Sequence, residues 1–170
     1  MDYQLIRSDR RTLSLEITRL GEVIVRAPHR CPQREIDRLL ENRADWIAGH
    51  LERQRRRQVM YPEPDEAQRA ALIARAQTEL PSRVAHYASQ MGLLPAGITI
   101  TGARKRFGSC SFQNRLCFSW RLMQYPDEAV DYVVVHELAH IVHKNHGRQF
   151  YALIASVLPN YKVRQRLLRG

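Results

Sequence analysis

Apolar and polar residues alternate at Leu13, Leu15 and Ile17, and an apolar run at Val23-Ile24-Val25 follows Leu20-Gly21-Glu22. This pattern predicts a β-hairpin that turns at the glycine. From Pro32 to about Arg57 the period changes: Ile36, Leu39, Leu40, Arg43, Trp46, Ile47 and Leu51 recur at helical spacing. One amphipathic helix is expected there, with Pro32 in its first turn and arginines on its outer face. Met60-Tyr61-Pro62-Glu63-Pro64 then marks a linker, because each proline disfavours helical geometry in the residue before it. A second helix is expected from Asp65 to about Met91, bent or interrupted at Pro81 and stopped at Gly92. Turn signals at Gly108 and Gln113-Asn114 divide the next region into short strands at Ile98–Thr101, Arg104–Gly108 and Leu116–Arg121. Pro126-Asp127-Glu128 suits a first helical turn and leads into Ala129–His143, which is apolar on nearly every side. Such a helix is buried, so each polar group on it must find a partner or a metal. These elements predict an α+β chain in two parts, a hairpin-and-helix lobe over residues 1–60 and a core over residues 65–170.

Charge adds a bias towards partners. The 170 residues carry 27 Lys+Arg against 17 Asp+Glu, a net charge of +10, which favours acidic surfaces or polyanions and keeps nucleic acid open as a partner. Lysine occurs only at 105, 144 and 162. The cluster of Arg53 with Arg55-Arg56-Arg57 is either a polyanion contact or a solvated helix end. Three cysteines, Cys31, Cys110 and Cys117, lack the even, dense pattern of a secreted disulfide scaffold and read as plain buried thiols in a reducing compartment. The opening MDYQLIRSDRR has charges where a signal peptide needs an apolar run, and no segment approaches the ~20 apolar residues of a membrane span. A soluble cytoplasmic protein with no membrane partner is expected.

The candidate chemistry sits on the apolar helix. His136 and His140 stand four apart, so their imidazoles leave the same face of a helix one turn apart and can share a metal ion. Glu137 then lies beside the ion, where a carboxylate can take a proton from a zinc-bound water and pass it to a leaving amine. A catalytic zinc usually takes three protein ligands. No Asp or Glu follows Glu137, so a downstream carboxylate is excluded and the candidates are His143 and His146. His143 shares the helix face, but seven residues from His136 is about 10.5 Å of rise, too far for a common ion. His146 reaches it if the helix ends near Lys144-Asn145, where asparagine tolerates the left-handed conformation and Gly147 adds freedom. One Zn2+ per chain on His136, His140 and His146 is the expectation, with His143 left as an outer-shell or surface residue.

The segment HELAHIVHKNHGRQF, with a histidine six residues after the second, resembles the YgjP-like metallopeptidases and the related WLM and SprT-like zinc proteases. Metzincins share the spacing, but their glycine three before the last histidine is His143 here and no methionine follows His146. Arg106-Phe107-Gly108-Ser109-Cys110-Ser111 is similar to the YgjP-like arginine–tryptophan–glycine–serine–cysteine–serine segment, with Phe107 in place of the indole donor. Pro159-Asn160-Tyr161-Lys162 resembles that family's closing proline–x–tyrosine motif. The resemblance covers most of the chain. It implies a minimal zincin-like core, a small mixed sheet with the active-site helix. It also implies an edge strand near that helix, where an extended peptide adds as a strand, with Arg106, Gly108, Ser109 and Tyr161 as candidate substrate-binding residues. Around Arg104–Cys110 that edge and an ordinary core strand with a glycine bulge fit the sequence equally. For the group that stabilises the developing oxyanion, Tyr151, Tyr161, Arg148 and Arg164 are the candidates, each also open to a packing or surface role.

The function these features favour is a zinc metallopeptidase that hydrolyses peptides or proteins through a Glu-activated zinc-bound water. A zinc-dependent nucleotide or phosphate-ester hydrolase is the alternative from another class, but the chain has neither a glycine-rich phosphate loop nor a second carboxylate cluster. A DNA-associated protease of the WLM/SprT type is the other alternative, suggested by the arginine excess and the resemblance.

Overall fold

The computed structural model describes residues 2–18 and 21–168, which fall into two compact units divided between Pro62 and Glu63. In the first unit a three-stranded sheet has the order β1-β3-β2. Strand β2 (Ser14–Ile17) runs antiparallel to β3 (Val23–Pro28), pairing Ile17 with Val23. This is the expected hairpin, with Gly21 at φ +86° in the left-handed region that glycine enters without steric cost; Leu20 lies outside the described residues. Strand β1 (Gln4–Ser8) lies parallel to β3 on its other side. No alternation announces β1. It is held at its end by Arg7, whose Nη1 donates to the carbonyls of Pro28, His29 and Cys31 at 2.8–3.1 Å.

The single helix expected over Pro32–Arg57 is two helices, α1 (Gln33–Asn42) and α2 (Ala44–Met60). Arg43 leaves helical geometry at φ −115°, ψ 7°, and neither proline nor glycine marks the break. Ile36 of α1 packs with Val25, Ala27 and Cys31 in a small core.

The second unit opens with α3 (Glu66–Met91). Asp65 caps it, accepting from the Gln68 amide N–H while the Gln68 side chain accepts from the Asp65 N–H, so two otherwise unpaired donors are satisfied together. Gly92 ends it at φ 64°. Of the bend or interruption expected at Pro81, the interruption does not occur, since the helix runs through the proline. Fully buried Leu80 and Val84 bracket this residue, and their burial offsets the one backbone hydrogen bond that proline removes.

A second sheet has the order β4-β6-β5: β4 (Gly97–Thr101) is parallel to β6 (Arg115–Ser119), and β5 (Gly108–Cys110) is antiparallel to β6 at the edge. The strand expected at Arg104–Gly108 is therefore displaced. Arg104, Lys105 and Arg106 form an exposed basic loop, and ladder pairing begins only at Gly108, preceded by a bond from the Ser119 N–H to the Phe107 carbonyl. Likewise β6 stops at Ser119, whose hydroxyl caps a 3₁₀ turn over Trp120–Gln124.

Helix α4 (Asp127–Val142) is the centre of this unit. Its run Val133-Val134-Val135 is a poor helix former by propensity, but all three are buried, in one core with Leu80, Val84, Leu116, Phe118 and Leu138. Burial of that size outweighs a few tenths of a kcal/mol per residue in propensity. Ion pairs hold the neighbouring helices to it. Arg83 of α3 bonds Asp127 and Asp131 of α4 at 2.8 and 2.6 Å, and Arg164 of α6 (Tyr161–Leu167) bonds Asp131 at 3.2 Å. Helix α5 (Arg148–Val157) completes the unit, burying Phe150 and Ile154. The α+β class read from the sequence is the class observed.

Candidate metal centre

His136 and His140 leave one face of α4, and their ring centroids lie 4.9 Å apart. The chain then leaves the helix at His143, which is extended at φ −118°, ψ 105°, and this brings His146 back over the same face. The ligand-capable atoms of His136, His140 and His146 all lie within 4.8 Å of one another, with the Nε2 atoms of His136 and His146 3.2 Å apart. Ligands at about 2.1 Å from one tetrahedral ion stand roughly 3.4 Å apart, so this donor set fits zinc. The mechanism of the turn differs from the expected one: Asn145 is not left-handed, since Asn114 is the non-glycine residue with positive φ among those described.

Two of the three imidazoles are oriented from behind. The Nδ1 of His140 lies 3.0 Å from the His143 carbonyl, so a proton on Nδ1 donates to that oxygen and leaves the Nε2 lone pair to face the cluster. It is the main chain of His143, rather than its ring, that supports the site. The Nδ1 of His136 has the Tyr132 hydroxyl at 3.4 Å, one helical turn earlier. Burial, reinforced by the neighbouring His140 and His146, holds the His136 pKa down at about 4, and burial also lowers that of His140. Neutral rings are the metal-binding form.

Phe150, fully buried on the first turn of α5, underlies all three rings at centroid distances of 4.9, 4.6 and 4.8 Å from His136, His140 and His146. Sequence reasoning missed it. Its signal was its place four residues after His146.

Glu137 is buried and stands outside the histidine cluster. Burial pushes its carboxyl up to about 7, against the opposing charge of Arg106. A cleft of about 280 Å³ reaches it, lined by Phe107, Gly108, Tyr132, Val133, His136, Glu137, Gln165 and Leu168. Gly108, the first residue of edge strand β5, sits directly over the carboxylate: a Cβ there would come 2.6 Å from Glu137 Cγ and 2.6 Å from Oε1. Only glycine leaves Glu137 its position. Gly108→Ala is expected to displace the carboxylate and cost roughly 1–3 kcal/mol in stability, read by thermal unfolding, while zinc content stays at the wild-type level.

The other candidates are distributed less tightly. Arg106 is exposed beside the cleft, whereas Ser109 pairs with Cys117 inside the sheet. Tyr161 does not line the cleft; its ring stacks on Tyr132 at 6.5 Å and on Tyr151 at 5.8 Å. Arg164 is committed to Asp131, and Arg148 is exposed at the start of α5. Burial raises the Cys110 thiol pKa, so it stays protonated near neutrality and is a poor rival ligand. Among the described residues no helix is long and apolar enough to cross a membrane.

A family model described as YgjP-like, metallopeptidase domain, matches residues 11–71 and 63–170. The fold is similar to that of the metallopeptidase zymogen abylysin of Pyrococcus abyssi, at 18% identity over 52% of this chain and 90% of that one, TM-score 0.48. It is also similar to the zymogen jannalysin of Methanocaldococcus jannaschii, at 18% identity over 51% and 93%, TM-score 0.45. No curated protein matches the sequence.

Proposed function

Since the chain belongs to the YgjP-like metallopeptidase family, we propose that it is a zinc-dependent peptidase with His136, His140 and His146 as the ligands and Glu137 as the general base. The observation that carries this reading is the meeting of three imidazoles in one cluster, with His136 of that cluster and the separate, buried carboxylate of Glu137 lining one cleft. A zinc ion held by three imidazoles supplies a Lewis acid that polarises a carbonyl and makes water acidic near neutral pH.

The chain's own residues supply the rest. The extended substrate lies along the free edge of β5 as an added strand, its backbone bonded to that edge. Glu137, with an affinity for protons matched to neutral pH, accepts the proton of the attacking water and returns it to the amine that leaves. Phe107, Val133 and Leu168 line the cleft with apolar surface, which limits competing water. Phe150 and the His143 carbonyl keep the histidines in place before any ion binds, so little reorganisation opposes binding.

A phosphate-ester hydrolase of the two-metal type requires a second ligand cluster, and the described residues hold one metal-capable cluster. Chelation followed by dialysis is expected to abolish hydrolysis of an unfolded protein, and one equivalent of zinc to restore it. Hydrolysis that survives complete removal of metal would contradict the proposal.

A further inference from the structure

Carboxylates are withdrawn from the two stretches that surround the cleft. Residues 92–126 and 138–170 contain no aspartate or glutamate, while lysine and arginine recur through both. Several cations of this unit are neutralised: Arg75, Arg83 and Arg164 engage Glu79, Asp127 and Asp131, and Arg104 and Arg121 engage Glu63. Lys105, Arg106 and Lys144 have no carboxylate within ion-pair distance among the described residues. An arginine-rich composition puts cations on any surface. It does not by itself set three of them at the two ends of one edge strand.

These three cations bracket the edge strand. Lys105 and Arg106, both exposed, precede the cleft-lining Phe107 and Gly108. Lys144 lies at the opposite end of β5, its Nζ bonded to the Ser111 carbonyl at 3.4 Å and to Asn114 Oδ1 at 2.9 Å. A three-residue strand spans about 10 Å, so a peptide laid along β5 presents side chains to both groups, two or three residues to either side of its centre. Resting on the peptidase reading above, we infer that the protein selects acidic segments of polypeptide, receiving Asp or Glu side chains at Lys105–Arg106 on one side of the scissile bond and at Lys144 on the other. Opposite charge at a cleft with apolar walls raises both the encounter rate and the residence of the matching substrate.

Binding separates this inference from hydrolysis. Two fluorescent peptides of one sequence, with Glu or with Gln at the flanking positions, are titrated by anisotropy into zinc-loaded Glu137→Gln protein. The acidic peptide is expected to bind about ten-fold more tightly at low ionic strength, and the advantage to shrink at about 0.5 M salt. Lys105→Gln with Arg106→Gln on that background, at unchanged zinc content, is expected to bring the ratio close to one. Equal binding of the two peptides would overturn the inference. So would an oligodeoxynucleotide of equal charge that binds more tightly than the acidic peptide, because the surface would then be one for nucleic acid. Cleavage of either peptide by the wild-type enzyme tests the peptidase reading by itself.

Discussion

His146→Ala is expected to lower zinc affinity by a hundred-fold or more, taking the metal content of dialysed protein from one per chain towards zero and abolishing hydrolysis. Loss of an outer-shell partner alone costs about 10–100-fold in affinity, and this change removes a donor outright. His146 is exposed on the loop after α4, and its ring meets the core only at its edge, through Phe150 at 4.8 Å and Tyr151 at 6.3 Å. The metal-free variant should therefore unfold close to the temperature of the metal-free wild type. Added zinc should raise the wild-type melting temperature, because a ligand that binds only the folded chain stabilises it by mass action, and should raise that of the variant far less. Metal analysis with paired melting curves checks both halves. A variant that keeps one zinc per chain would assign the third ligand elsewhere.

The second large effect separates chemistry from metal binding. Glu137→Gln keeps the shape that Gly108 packs against but removes the proton acceptor. The rate of peptide hydrolysis should fall by about 10²–10⁴-fold, the range that general base catalysis contributes, with zinc content unchanged. Glutamine also relieves the burial that opposes a charge at this position, so the variant should be as stable as the wild type or more so. If activity persists at the wild-type level with zinc bound, Glu137 is not the base.

The pair His146→Ala and Glu137→Gln thus divides one site into a holder and an actor, and the sequence already separated these roles. The four-residue spacing of His136 and His140 needed only a helix to become a shared face, and α4 carries both residues. The absence of any acid after Glu137 turned attention to His146, which the structure brings within reach of the other two. What was not legible is what depends on contacts between distant segments. Gly108 entered as one residue of a motif, while its use, clearance for the Glu137 carboxylate, requires knowing that β5 lies against α4. Phe150 looked like any core aromatic until α5 set it under three imidazoles. The return of the chain at His143 was foreseen in effect but assigned to the wrong residue, because an extended backbone leaves no compositional mark as a left-handed asparagine does.

The same limit explains the misread elements. Strand β1 pairs in parallel with β3, a partnership made across the intervening hairpin strand that short-range alternation does not encode. The break at Arg43 has no glycine or proline to announce it. Pro81 reads from local chemistry as a bend or an interruption; α3 is not interrupted there, since Leu80 and Val84 are held in the core on either side, and packing overrode the local preference for a break. Where periodicity and end signals agreed, as in the start of α3 after Asp65 and its stop at Gly92, the sequence reading was accurate.

The most direct test of the metal centre is zinc-edge X-ray absorption on the purified, zinc-loaded protein. One zinc per chain is expected, with three imidazole nitrogens at about 2.0–2.1 Å, one further light-atom ligand from solvent and no sulfur. A sulfur scatterer at about 2.3 Å would move the site to a cysteine and contradict the three-histidine assignment.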